Sequence, residues 1–372
     1  MTDSRVPVVV LLGGPSAEHD VSIVSGHAVA DALAARHPLT RVVIDLTGRW
    51  WWLPDDHRRD GRAPAAYDDP ATLGADGPYR TGAAIDRLAG TTPAPVVFVA
   101  LHGPFGEDGT VQALLEAIGL AYTGAGITAS ALGMDKAIFK RLVRGLGLPV
   151  VDWREIPAPR WRAEPAAVLA ELEAFAAGNG DPRLMVKPAR LGSSVGMTLA
   201  HDPAERGPAL ETAFRFDTLA IAERYLAHAR DLEVSVIGDV TEGLRLYGPG
   251  EIVAGREFYD YASKYTAGLS ETSLRAELPA TTRATILKLA RDTYRAIGAE
   301  GFARIDFLLA GEALVVSEIN TIPGFTPISL FPTLPAEGGL DFAAVCEWVV
   351  DLAIARHGRR PFRALSPGDL PR

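Results

Sequence analysis

The chain has 372 residues and a formal net charge of −9, from 37 Lys+Arg against 46 Asp+Glu; at about 150 residues per domain, its length points to two or three domains. An acidic balance argues against a protein whose main work is gripping nucleic acid or an anionic membrane, while a composition 48% hydrophobic and 22% charged can build a core and excludes disorder. The single cysteine, Cys346, excludes an intrachain disulfide framework and a cysteine-based zinc site. No apolar run approaches the ~20 residues of a membrane span, and the apolar stretch at 8–12 is too short for a signal peptide. The expectation is a cytoplasmic α/β enzyme.

Residues 8–12 form an apolar run ended by Gly13-Gly14-Pro15, the mark of a buried parallel strand entering a tight turn. The spacing of Val21, Val24 and Ala28 predicts a helix over 21–34, with Asp20 as its cap. Residues 39–45 read as the next strand. Residues 55–82, rich in Gly, Pro, Asp and Arg, read as a long surface excursion. Another strand over 95–101 ends at His102-Gly103. Such alternation implies a doubly wound domain with ligand groups at the carboxyl ends of its strands. A basic helix follows over 135–145 (Lys136, Lys140, Arg141, Arg144), stopped by Gly147 and Pro149, and then an Ala-rich helix over 164–177. Strands are expected at 184–187, 219–222 and 232–237, a polar loop at 262–272 and a helix at 282–297. Two apolar strands, 302–309 and 314–319, close the pattern around a short Ala-Gly-Glu turn.

Those last strands carry Arg304-Ile305-Asp306 and Glu318-Ile319-Asn320. In a hairpin Asp306 and Glu318 can point to one side, and Glu318 and Asn320, two apart, share a face. Two carboxylates and an amide oxygen suit a hard cation such as Mg²⁺. Acids in an otherwise apolar sheet call for a metal or a basic partner; solvated strand acids are the plainer alternative. The stretch 186–196 delivers Lys187 into a Gly/Ser loop with Ser193 and Ser194, whose N–H groups and hydroxyls can cradle phosphate oxygens. It is not a Walker A loop. It also satisfies G-x-S-x-G, so a serine hydrolase with Ser194 as nucleophile is a rival of another class; that elbow needs a helix at once, whereas Met197-Thr198-Leu199 look extended. An apolar strand ending in Glu223 can offer main-chain bonds to an adenine edge, and Glu233 can accept from ribose hydroxyls; plain sheet residues are the alternative. Near the N-terminus, Glu18 can hold a substrate ammonium, while a lone histidine such as His19 or His102 is more often structural.

Together the stretches GGPSAEHDVS, LHGPFGEDGT, TGAGITASALGMDK, VKPARLGSSVG, FYDYASKY, ARIDFLL and SEINTIPGFTPIS, collinear over about 8–334, resemble the D-alanine–D-alanine ligase family of the ATP-grasp superfamily. The resemblance implies an α/β fold of three domains. These are an N-terminal doubly wound parallel α/β substrate-binding domain over 1–124, a central α+β ATP-grasp domain over 125–227, and a C-terminal α+β catalytic domain over 228–372 with a mobile loop at 262–272. It implies ATP-dependent joining of two D-alanines through an acyl phosphate, for peptidoglycan precursors. It further implies two Mg²⁺ ions, with Mn²⁺ as a substitute, and a homodimer with no nucleic-acid or membrane partner.

Residue by residue, Asp306, Glu318 and Asn320 match the family's metal ligands. Lys136, Lys187 and Ser194 match nucleotide-phosphate contacts, and Lys264 a loop lysine near the γ-phosphate. Glu223, Leu226 and Glu233 match adenine and ribose contacts. Glu18 matches the anchor for the first ammonium, with His102 near that pocket. Arg304 and the Gly324 N–H match oxyanion donors, and Ser329 a contact to the second carboxylate. Glu18, Ser193 and Tyr265 match a polar triad that ties the loop down, excluding water from the acyl phosphate. Tyr265 favours an amine nucleophile over D-lactate. Leu191 and Ala262 depart from the pattern of some relatives, and the resemblance leaves Trp50–Trp52 and the excursion at 55–82 unexplained. A related ligase joining D-alanine to another D-amino or D-hydroxy acid is the nearest alternative; a non-catalytic nucleotide-binding protein is the alternative of a different class.

Overall fold

The computed structural model describes residues 5–178, 180–239, 241, 243–254 and 270–359. Three sheets organise them. In the first, the apolar runs become the parallel strands β1 (Val8–Gly13), β2 (Leu39–Ile44), β5 (Val96–Val99) and β6 (Ala121–Tyr122), and the sheet runs in the order β4-β3-β2-β1-β5-β6. The Trp50–Trp52 run is β3, an antiparallel strand paired with β2. Trp50 is fully buried, and the Trp51 indole N–H donates to Asp45 Oδ2 at 2.8 Å. Tryptophan suits such a site because its ring fills the core while its one donor finds an acceptor.

Two expectations change here. The excursion at 55–82 is only partly a surface loop. Tyr67 is fully buried, with its ring centroid 4.8 Å from that of His27. The stretch also supplies edge strand β4 (Asp76–Tyr79) and the start of helix Thr81–Ala89. Its Gly/Pro/Asp composition describes the turns and hides the one aromatic that pins them down. The first helix, α1, runs His19–Leu33, starting two residues earlier than the apolar spacing suggests. Glu18 holds the N-cap position without a side-chain cap bond, and Asp20 lies in the first turn, where its charge still suits the positive end of the helix.

The second sheet, β7-β10-β8-β9, is antiparallel. It contains β7 (Trp153–Pro157), β8 (Leu184–Pro188), β9 (Thr198–Ala200) and β10 (Leu219–Arg224). The third, β13-β12-β11-β14-β15, is also antiparallel. It includes β11 (Arg230–Asp239), β12 (Gly243–Ala254), β14 (Phe302–Ala310) and β15 (Ala313–Asn320), backed by the helix Ala280–Ala296. Of the loop expected at 262–272, residues 262–269 lie outside the described residues, and 270–272 belong to strand β13 (Ser270–Ser273).

The layers are not sealed off from one another. The basic helix, Lys136–Gly145, buries Phe139 and Val143 in the core of the third sheet. The C-terminal helix Phe342–Gly358 returns to the first sheet, where Val345, Cys346, Val349 and Val350 join the core of Val8, Val10 and Phe98. Phe325 is the meeting point: 1% exposed, it has ring centroids of Phe98, Phe302, Phe331 and Phe342 within 5.4–5.9 Å. Phe325→Ala should therefore lower stability by about 3–5 kcal/mol, with Phe325→Leu losing much less. Denaturant unfolding measures both, and equal small losses would show that the seam can collapse around the gap.

Candidate active site

The third sheet aligns its acids by register. Glu233 on β11 is opposite Asp306 on β14, and Asp306 is opposite Glu318 on β15. Two residues along, Ser235, Arg304 and Asn320 form the next row on the same face. Arg304 clamps Asp306 with two bonds of 2.7 Å and reaches Glu233 at 3.3 Å. Lys136 approaches Glu318 at 3.4 Å. Within the row the three carboxylates are met by Arg304 and by Lys136. Burial works against the Arg304 charge, but Asp306 and Glu233 outweigh it and hold its pKa well above the usual value.

The acids Glu233, Asp306 and Glu318, with Arg304, form one wall of a cavity of about 520 Å³ between the second and third sheets. Lys136, Lys187, Ser193, Ser194, Glu223 and Leu226 line the same cavity, so the expected nucleotide contacts converge. Strand β8 carries Lys187, and β10, its antiparallel neighbour, carries Glu223; their side chains pair at 2.9 Å. Glu223 also pairs with Lys140 at 2.8 Å. Burial favours a protonated Glu223, but the two lysines outweigh it and hold its pKa down to about 2.

The loop after β8 places Ser193 and Ser194 at φ 51° and 57°, uncommon for residues other than glycine. The Lys136 ammonium donates to the Leu191 carbonyl of this loop at 2.7 Å. The chain then enters strand β9, not a helix, so the strand–turn–helix elbow of a serine hydrolase is absent.

Ser193 Oγ donates to Glu18 Oε1. Glu18 is 5% exposed, and among the described residues its Oε2 is buried without a hydrogen-bond partner. Two glycines flank that oxygen. A Cβ at Gly103, whose φ is +78°, would lie 2.6 Å from it, and one at Gly192 would lie 2.9 Å away. A buried carboxylate oxygen left open between two backbones is a socket for a cationic donor.

His102 plays a different part from the one expected. Its Nδ1–H donates to the Ile322 carbonyl at 2.8 Å, and its Nε2 accepts from Ser25 Oγ at 2.9 Å. Both ring nitrogens are engaged, and burial pushes its pKa down, so it acts as a neutral brace. Glu107 is a second brace that sequence reasoning left without a role: its two oxygens accept from Gly103 N at 2.8 Å and Ile322 N at 3.0 Å. The two braces hold the loop that carries Gly324 and Ser329. Ser329 Oγ closes this loop on Thr326 Oγ1 at 2.8 Å. Asn320 Nδ2 donates to Asp306 Oδ2 at 3.0 Å. Lys264 and Tyr265 lie outside the described residues.

Burial, then the charge of Glu18, pushes Glu107 from 4.5 up to about 8. Between those values the folded chain keeps a proton that the unfolded chain has lost, so this group makes stability fall as pH rises from 4.5 to about 8. Glu107→Gln should flatten that slope in denaturant midpoints taken across the same window; an unchanged slope would assign it elsewhere.

Comparison with known proteins matches both ends of this arrangement. A model described as the D-ala D-ala ligase N-terminus matches residues 7–125, and one described as the D-ala D-ala ligase C-terminus matches residues 142–351. The D-alanine--D-alanine ligase of Heliobacterium modesticaldum is 38% identical, with 94% of this chain and 95% of the relative covered. That of Kineococcus radiotolerans is 37% identical, covering 94% and 96%. Among solved structures, the D-alanine-D-alanine ligase from Coxiella burnetii has a TM-score of 0.77 at 29% identity, covering 96% of this chain and 97% of that one. The VanG D-Ala:D-Ser ligase from Enterococcus faecalis has a TM-score of 0.79 at 28% identity, covering 94% and 100%.

Proposed function

The chain belongs to the D-alanine–D-alanine ligase family, and from that premise we propose how its residues carry out ATP-dependent ligation of two D-alanines. The observation that carries the reading is the acid row Glu233, Asp306 and Glu318, which faces a cavity lined by Lys136 and Lys187. ATP fits between them: adenine against Glu223 and Leu226, ribose near Glu233, and phosphates toward Lys136, Lys187, Ser194 and Lys264.

The donor set of Asp306, Glu318 and Asn320 fits Mg²⁺, being all hard oxygen. Asn320 would have to present its amide oxygen in place of the Nδ2 that now faces Asp306, a turn within the ordinary freedom of that amide. When bound there, the metal supplies charge neutralisation at the phosphate oxygens. Two Mg²⁺ ions, Mn²⁺ as a substitute, a homodimer and a cytoplasmic location belong to the proposal on family grounds.

The first D-alanine places its ammonium at the open oxygen of Glu18. Its carboxylate oxygen attacks the γ-phosphorus; a new O–P bond forms, the bond to the β-phosphate oxygen breaks with ADP as leaving group, and an acyl phosphate remains. The amine of the second D-alanine, held through its carboxylate at Ser329, then attacks the acyl carbon. Arg304 and the Gly324 N–H meet the tetrahedral oxyanion, the nitrogen loses a proton, and phosphate leaves. Ser193 fixes Glu18 for this sequence, and Tyr265 completes the triad that holds the loop down. His102 serves by positioning the Ile322–Ser329 loop.

The test is phosphate release from ATP with D-alanine, D-serine, D-lactate or L-alanine, the product being identified by mass. Release that depends on D-alanine alone and yields the dipeptide is expected. The likeness to a D-Ala:D-Ser ligase makes D-serine the informative competitor, and a mixed dipeptide as main product would overturn the choice of second substrate. No release with any of the four sinks the catalytic assignment. Glu318→Gln should lower kcat by at least about 10²-fold, with secondary structure intact by circular dichroism; wild-type turnover would remove Glu318 from the metal set.

A further inference from the structure

The helix Lys136–Gly145 presents two lysines one turn apart. Lys136 reaches the cavity wall, whereas Lys140 lies behind it, 1% exposed. Lys140 holds Glu223 Oε1 at 2.8 Å, while Lys187 holds Oε2 at 2.9 Å. One carboxylate is therefore shared between a lysine that borders the cavity and one that does not. The far side of Lys140 is closed by the Trp153 ring, 5.8 Å from its nitrogen.

The two lysines differ in what they are free to do. Lys187 lines the cavity and can turn its ammonium toward an incoming phosphate oxygen. If it does, Oε2 of Glu223 loses its partner. A buried carboxylate stripped of its countercharge is strongly unfavourable, and that penalty would be subtracted from nucleotide affinity. Lys140 cannot follow Lys187 out, because it has no path to the cavity and Glu223 is the ion-pair partner recorded for it among the described residues. We propose that Lys140 is the stationary countercharge that lets Lys187 leave Glu223 for a nucleotide phosphate, which makes it a positioning residue for ATP binding. The charge balance agrees. Burial pushes Lys140 below the usual lysine value despite Glu223, so its ammonium is kept in place chiefly by that one carboxylate.

The inference rests on the reading of this cavity as the ATP site, and the experiment separates the two. Binding of a non-hydrolysable ATP analogue is measured by calorimetry, together with KM for ATP and for D-alanine, in wild type, K140M, K140R, E223Q and K140M/E223Q. K140M should weaken analogue binding and raise KM for ATP about tenfold, leaving KM for D-alanine and the nucleotide-free melting temperature near wild type. K140R should recover most of the loss. In the E223Q background, where no carboxylate can be stranded, adding K140M should change ATP affinity by less than about twofold. If K140M does not fold, the comparison of K140M/E223Q with E223Q carries the test, and a further tenfold loss there overturns the proposal. ATP affinity of K140M within about twofold of wild type overturns it as well. So does a parallel rise in both KM values with a lower melting temperature and no rescue by K140R. A wild-type protein that binds no nucleotide defeats the reading of the cavity itself, and the inference with it.

Discussion

Carboxylates taken out of water must be answered by charge or by donated hydrogen bonds, and the layout of this chain follows from how few answers it has. Glu18, Glu107, Glu223 and Glu233 are all buried, and each is handled differently. Glu223 has two lysines. Glu233 shares Arg304 with Asp306. Glu107 is braced by two backbone N–H groups and carries a raised pKa. Glu18 keeps one oxygen open. Glu223 and Glu233 border the cavity and meet cations, whereas Glu18 lies outside its lining with one oxygen open among the described residues, as expected if that deficit is reserved for a cation that arrives with a ligand.

The substrate end is assembled across the seam between the first sheet and the loop after β15. Ser25 comes from α1 and His102 and Glu107 from the segment after β5, and their partners Ile322 and Phe325 from that loop. Phe325 fills the aromatic cluster beneath. Polar braces fix direction while the buried rings supply the stability, because a hydrogen bond constrains geometry more than it adds net energy. Gly324 lies one residue from that anchor, so its N–H is aimed by packing and not by the loop alone. This is the sense in which a core residue and the glycine proposed as an oxyanion donor are coupled here.

Much of this was legible from the chain alone, for identifiable reasons. Parallel strands are buried on both faces and appear as unbroken apolar runs, so β1 and β5 were plain. Alternation put Glu318 and Asn320 on one face, and the hairpin brought Asp306 opposite Glu318. What escaped depends on partners distant in sequence. Tyr67 is buried because α1 offers His27, not because of its own neighbours. Lys140 belongs to a helix with four cations, a pattern normally read as a solvated face; only Glu223, on a strand in the second sheet, makes it interior. The resemblance put His102 near the first-substrate pocket, while as a lone histidine it read as structural; whether a histidine binds or braces is decided by who occupies its two nitrogens.

The links named across the cleft are polar: Lys136 to Leu191 and Glu318, and Ser193 to Glu18. Apolar burial, by contrast, is concentrated within the sheets and along the Phe325 seam. Polar links exchange partners at little net change in free energy, because each protein–protein contact can be replaced by a protein–ligand one. Apolar cores do not exchange in this way. A phosphate chain entering the cleft would compete for Lys136, which now spans it, and for Lys187, which pairs with Glu223 within the second sheet, and would return comparable contacts of its own. The polar part of the second sheet's grip on the third can therefore exchange for nucleotide contacts, while the apolar contact of Ala137 with Ala189 and Ile221 holds the two together. A nucleotide-dependent ligase needs that property to keep water from an activated carboxylate and still release its product.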